Sequence, residues 1–483
     1  MKILLSIQKR VSYLFKNISI WLAAQLDDEK PKGTIAVLDG VRAIACIMVV
    51  LYHGSGVVVG RWAIYKVPIV FSLNDLGARG VTLFFLLSGF LLFRPYAQAL
   101  FLAKSWPQAR IFYMRRILRI VPGYYFALFA LVFLRNPSYL QPHNWKTLFF
   151  LLTFLKAGQL NTVYWTLIVE FQYYMLLPVI ALGIYGLTRL VQPKQRIYVV
   201  TGSLLVMVAW GMGTRYWGYT FFARRDAQTY LTTHPVQKII AFVIFGTSKA
   251  DQGKFFEDFA VGMLLAVCYV IVSNAPRGEI YRRMLTSLSS WLWWLGIAFL
   301  IFAAWRFESF FPHWQAAVTI FNAYPSWANE FAYALGFGCC ILAILYSSPG
   351  SILKRFFAWT PLRWVGLISF SLYLWHGPLL LVLTANVAPT LFRDFRGIVA
   401  LGIYIVLATL VVISISFTLY VLVEKPGMHL SERLRKQMQL RPEPKTFTPS
   451  ENIPSLDKER DKELDPEKTE PRVSVVLTKT SSN

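Results

Sequence analysis

Leu38-Asp39-Gly40-Val41-Arg42-Ala43-Ile44-Ala45-Cys46-Ile47-Met48-Val49-Val50-Leu51-Tyr52-His53-Gly54-Ser55-Gly56 decides the fold. An apolar run of this length reads as a membrane-spanning helix, yet it carries an aspartate, an arginine and a histidine. A charge at the centre of such a helix costs at least ~2.5 kcal/mol, so ionisable residues there mark a functional site. Arg42 and His53 are eleven positions apart, which at about 100° per residue returns them to within about 20° of one face. Asp39 and Cys46 fall on the same stripe. One helix face thus bears an acid, a guanidinium and, about 16 Å further along, an imidazole. That face is expected to look into protein and not at lipid.

The rest of the chain agrees with this beginning. Of 483 residues, 56% are hydrophobic and the mean hydropathy is +0.48, a balance that soluble domains do not show. The formal net charge of +24 has two readings. Nucleic-acid binding needs a basic soluble face, for which so apolar a chain leaves no room. Lys and Arg in short cytoplasmic loops account for the charge instead. Cys46, Cys268, Cys339 and Cys340 all sit in apolar segments without C-x-x-C spacing, so neither a disulfide framework nor a zinc site is indicated.

The expected fold is all-α: a polytopic membrane protein of about ten transmembrane helices around an internal polar site. The candidate spans are 36–58, 79–98, 117–136, 161–186, 197–217, 255–274, 288–305, 328–347, 364–385 and 398–423. Two further apolar stretches are weaker candidates: 147–156 is too short to span and 237–247 reads as half-buried. Basic residues of alternate loops, such as Arg110, Arg115, Arg116 and Arg119, then Arg189, Lys194 and Arg196, place both termini in the cytoplasm of a multi-pass cell-membrane protein. Residues 1–33 read as a basic amphipathic segment on the cytoplasmic surface. Residues 34–426 read as one membrane domain, and 427–483, rich in Lys, Glu, Asp, Pro and Ser, as a largely disordered cytoplasmic tail.

Four more stretches break the rule against polar residues in lipid. Phe84-Phe85-Leu86-Leu87-Ser88-Gly89-Phe90 sets a serine and a glycine in mid-span, where close helix packing through small residues is the plain alternative. Arg116 and Arg119 are three apart on one helical face, read as lying at the inner membrane edge and suited to phosphate. Tyr164-Trp165-Thr166-Leu167-Ile168-Val169-Glu170 buries a carboxylate among aromatics. Ile368-Ser369-Phe370-Ser371-Leu372-Tyr373-Leu374-Trp375-His376-Gly377-Pro378 ends in a histidine before a proline, where the imidazole either serves the chemistry or bonds a freed backbone carbonyl. By depth, His53, His376 and Glu170 fall near or beyond the midplane and the two arginines at the inner surface, a polar path across the membrane.

Together these stretches resemble the membrane acyltransferase 3 family of multi-span O-acyltransferases. The resemblance runs from about Thr34 to Pro426. It covers the LDGxRA opening, Arg42-x10-His53, FFLLSGF at 84–90, Arg116-x-x-Arg119, WTLxVExQYY at 165–174, SFSLYLWHGP at 369–378 and Glu424-Lys425-Pro426. Thr166 and Phe171 depart from the serine and second glutamate that the family often carries. The resemblance implies transfer of an acyl group, commonly acetyl, from cytoplasmic acyl-CoA to a hydroxyl of a surface glycan or similar acceptor. Acyl-CoA would be a co-substrate, with no bound cofactor and no metal.

The same resemblance implies that Arg42 and His53 are essential and that Arg116, Arg119, Ser88 and Glu170 support them. His53 suits a general base for the hydroxyl or a transient acyl carrier, two roles left open here. Arg42 would stabilise developing charge or hold the thioester, with Asp39 fixing its guanidinium and Glu170 orienting an imidazole or the acceptor. Arg116, Arg119, Ser88 and His376 complete the expected substrate and coenzyme-A contacts. Some members fuse an extracytoplasmic hydrolase-like domain; the tail here is expected to carry none. The competing class is a transporter or flippase for a glycan or lipid-linked substrate, which would need no acyl-CoA.

Overall fold

The computed structural model describes residues 17, 20, 35–62, 76–102, 104–155, 160–161, 163–222, 230, 233–245, 253–274, 278–304, 325–395 and 397–440. Among these every regular element is helical. In chain order they are α1 Ala36–Trp62, α2 Gly80–Phe101, α3 Ala109–Arg135, α4 Trp145–Leu152, α5 Tyr164–Thr188 and α6 Arg196–Phe222. There follow α7 Pro235–Phe245, α8 Phe256–Asn274, α9 Gly278–Ala304, α10 Pro325–Tyr346, α11 Ile352–Phe357 and α12 Thr360–Leu367. The series closes with α13 Ser369–Asn386, α14 Ala388–Asp394, α15 Gly397–Leu419 and α16 Lys425–Leu440.

Each of the ten expected spans falls on helix. Eight helices among the described residues are long and apolar enough to cross a membrane, and the bent α12–α13 pair makes a ninth. The expected span 328–347 falls on α10, apolar from Glu330 to Tyr346. The protein is a multi-pass, all-α membrane protein. The two weaker candidates are the eight-residue α4 and the eleven-residue α7.

Small residues set the closest helix crossings. A Cβ on Gly89 of α2 would run into the carbonyl of Phe259 on α8, and a Cβ on Gly262 of α8 into the carbonyl of Leu86 on α2. The two glycines therefore let α2 and α8 meet backbone to backbone. Gly40 meets the carbonyl of Phe357 and Gly366 meets that of Asp39, which seats α11 and α12 on the base of α1.

Three features differ from the expectation. First, the span read as 364–385 is broken: α12 and α13 meet at 71°, at Ile368, ten residues before Pro378. The carbonyl of Leu374, which Pro378 leaves without its helical donor, accepts from Asn161 Nδ2 at 3.2 Å. Second, α3 starts at Ala109, eight residues before the expected boundary, so Arg116 and Arg119 lie two and three turns into a helix. Hydropathy ends a span at its first charges, although charges facing a protein cavity extend it. Third, the charged segment after Pro426 begins as a helix. After a π-helical turn at Tyr420–Glu424, α16 packs along α3, with Gly427 against the carbonyl of Leu118. Residues 441–483, and all of 1–33 but Asn17 and Ile20, lie outside the described residues.

Candidate active site

Five helices bring polar residues to one cavity. Arg42 comes from α1, Ser88 from α2, Arg116 and Arg119 from α3, and Thr166, Glu170 and Tyr174 from α5. Ser369, Phe370 and Tyr373, at the broken start of α13, close the wall. The helix break thus puts the first turn of α13 inside the bundle.

The hydrogen bonds sort these groups. Glu170 Oε1 accepts from the hydroxyls of both Ser88 and Tyr174. The guanidinium of Arg116 lies over the Tyr174 ring, 5.7 Å from its centroid, and its Nε is buried without a hydrogen-bond partner. Neither Arg42 nor Arg119 has an ion pair or hydrogen bond among the described residues. Three arginines therefore face a cavity with one carboxylate, which two neutral hydroxyls already hold. In a low-dielectric interior such an excess of positive charge calls for an anion.

Ser88 and Gly89 divide the two readings of their stretch between them. Gly89 serves packing and Ser88 serves the cavity. Arg116 and Arg119 share that cavity with Glu170. Asp39 forms its ion pair with Arg363 of α12, Oδ2 to Nε at 3.7 Å. Through that pair Asp39 also docks α12 on the base of α1.

His376 also lies elsewhere than expected. It is fully buried and stands against His53, outside the lining of the cavity. Its Nδ1 donates to the Tyr373 carbonyl at 2.6 Å, so its neutral Nε2 is an acceptor. That Nε2 is 3.1 Å from His53 Nδ1, which also lies 3.0 Å from the carbonyl of Val49. Two acceptors face one nitrogen, so His53 carries its proton on Nδ1 and its lone pair on Nε2. Tyr373 joins the two halves of the site: its ring lines the cavity, its hydroxyl meets Thr166 Oγ1 at 2.6 Å and its carbonyl holds His376.

The motif carried by α13 can now be read residue by residue. Ser371 donates to Glu424 of the π-helical turn at 2.9 Å, Tyr373 meets α5, Leu374 accepts from Asn161, and His376 meets α1. These four groups of α13 are each pinned by a different part of the fold. A family model described as an acyltransferase domain matches residues 35–421. The chain belongs to the acyltransferase 3 family. It is 25% identical over 409 residues to the peptidoglycan O-acetyltransferase OatA of Listeria monocytogenes, an alignment covering 79% of this chain and 54% of that protein. It is 23% identical over 371 residues to the putative peptidoglycan O-acetyltransferase YrhL of Bacillus subtilis, covering 72% and 49%. This acyltransferase 3 chain thus spans about half the length of the curated relatives it matches. No solved structure matches it significantly.

Two groups of this family member escaped the sequence reading. Tyr174 stands in a quoted stretch but was given no role, although its i, i+4 spacing from Glu170 was visible. Two ion pairs, the buried Arg215 with Glu257 and the half-buried Arg79 with Glu330, tie α6 to α8 and the start of α2 to α10. Thr82 adds a hydrogen bond to Glu330 at 3.1 Å. These charges sit at the ends of apolar runs, where sequence does not distinguish a buried pair from a solvated one.

Proposed function

We propose that the chain is an integral membrane O-acetyltransferase that takes an acetyl group from cytoplasmic acyl-CoA. The acceptor is a hydroxyl of a cell-surface glycan, with peptidoglycan the class named for its relatives. The observation that carries this is the cavity itself: Arg42, Arg116 and Arg119 against one already bonded carboxylate. Coenzyme A brings phosphates to match them, and guanidinia bind phosphate through paired, charge-assisted hydrogen bonds. From Arg42 to His53 is about 16 Å along α1, a span that an extended pantetheine arm covers.

In this reading His53 Nε2 accepts the proton of the acceptor hydroxyl as its oxygen attacks the thioester carbonyl carbon. The carbon–sulfur bond then breaks, and the departing thiolate takes the proton from His53 to give free coenzyme A and an ester. No other co-reactant is needed. The imidazolium formed on the way is stabilised by the Val49 carbonyl and His376 Nε2, both facing its Nδ1–H. General-base help of this kind is worth about 10²–10⁴-fold. The catalytic unit is the membrane domain, 34–426, in the cell membrane with both termini in the cytoplasm.

The test is the O-acetyl content of surface glycans, by mass spectrometry, in cells expressing the intact chain or its His53→Ala variant at equal membrane abundance. Ester with His53 and none without it supports the reading. Equal ester in both removes His53 from the chemistry, and no ester in either points to transport without acyl transfer.

A further inference from the structure

Glu170 presents a puzzle of charge. It lines a cavity with three guanidinia, yet its hydrogen bonds come from two neutral hydroxyls on one oxygen, Ser88 across the helix interface and Tyr174 one turn along α5. A carboxylate beside arginines gains most by pairing with one of them, because charge-assisted bonds are roughly twice as strong as neutral ones. Something keeps it from doing so. Tyr174 is buried, and it acts from both ends: its hydroxyl engages Glu170 while its ring face carries Arg116.

We infer that Tyr174, with Ser88, is a positioning residue of the acyl-donor site that holds Glu170 away from the arginines and so keeps Arg42, Arg116 and Arg119 available for the donor's phosphates. The inference rests on the donor reading above and goes beyond it by assigning the residue that sets the charge the cavity presents to its ligand. Glu170 stays near enough to offset the arginines over a distance. It does not quench them, because its oxygen is engaged elsewhere. Loss of the Tyr174 hydroxyl leaves Glu170 with one donor fewer, and a guanidinium is the strongest replacement within the cavity. The site then neutralises itself, and the incoming anion must compete with an internal one.

The experiment measures binding of coenzyme A to the full chain in detergent by isothermal titration calorimetry, alongside a thermal melt of each variant. Tyr174→Phe keeps the ring under Arg116 and removes only the hydroxyl; its affinity should fall about tenfold, the effect of one charge-assisted hydrogen bond. Glu170→Gln added to Tyr174→Phe removes the competing charge and should bring the affinity back toward wild type. Ser88→Ala, paired in the same way with Glu170→Gln, gives the same pattern should the tyrosine variant fail to fold. A tyrosine that merely supports the fold is not rescued by a second change at Glu170, so weakened binding without rescue overturns the inference. Unchanged binding in Tyr174→Phe, while Arg119→Ala binds weakly, also overturns it and leaves the donor reading standing. Wild type and Arg119→Ala binding equally poorly would remove the donor reading, and this inference with it.

Discussion

His376 Nε2 lies 3.1 Å from His53 Nδ1, across 323 residues of chain. The second imidazole is itself held by the Tyr373 carbonyl, and so it fixes which nitrogen of His53 carries the proton. His376→Ala should therefore lower kcat about 10–100-fold, the usual range for losing the partner that orients a functional imidazole. The KM for acyl-CoA should hardly move, since His376 lies outside the donor cavity. Initial rates of coenzyme-A release at several donor concentrations check both.

Arg119 has no hydrogen bond within the described protein, so its loss costs the fold little and the ligand much. Arg119→Ala should raise the KM for acyl-CoA about tenfold or more, a charge-assisted bond being worth about 1.5–3 kcal/mol. The thermal midpoint should stay close to wild type. Donor titration and a melt of the purified protein measure the two quantities.

The crossing of α2 and α8 depends on Gly262, where any Cβ meets the Leu86 carbonyl. Gly262→Leu should force the helices apart, taking Ser88 away from Glu170. Overpacking a tight core position typically costs about 1–3 kcal/mol. Membrane abundance and thermal midpoint should both fall, where Gly202→Leu, with open space around it, leaves them unchanged.

Lys254, just before α8, donates to Gln172 Oε1 at 2.7 Å, and burial pushes its ammonium down to about 8. In the unfolded chain a lysine keeps its ordinary value near ~10.4. Between these values the unfolded state binds more protons than the folded one, so stability rises as pH increases through the window from about 8 upward. The thermal midpoint should rise from pH 7.5 to about 9.5 in wild type relative to Lys254→Met, which lacks the titrating group. Parallel melts of the two proteins across that range measure the difference.

Much of this architecture was legible because helices in lipid must hide polar groups. The Arg42–His53 stripe, Ser88, Glu170 and the Arg116–Arg119 pair announced themselves by being where lipid forbids them. Periodicity tells which face of a helix a residue takes and says nothing of which helix it meets. The pairing of His53 with His376 and of Asp39 with Arg363 was therefore invisible, as was the role of Tyr174. The break at Ile368 carries no proline and no run of polar residues; it follows from the docking of Gly366 on the Asp39 carbonyl, a tertiary contact. A hydropathy boundary treats every arginine as facing water, so it does not show that Arg116 and Arg119 share a cavity with Glu170.

The central claim is that one cavity binds the donor through arginines while His53 performs the transfer. The most direct measurement compares His53→Ala and Arg119→Ala as purified full-length proteins, recording coenzyme-A binding by calorimetry and acetyl-ester formation on a glycan acceptor by mass spectrometry. The account predicts that His53→Ala binds coenzyme A like wild type and forms ester at least about 10²-fold more slowly. Arg119→Ala should bind weakly and regain most of its rate when the donor is in large excess. Ester formation by His53→Ala at the wild-type rate would contradict the account.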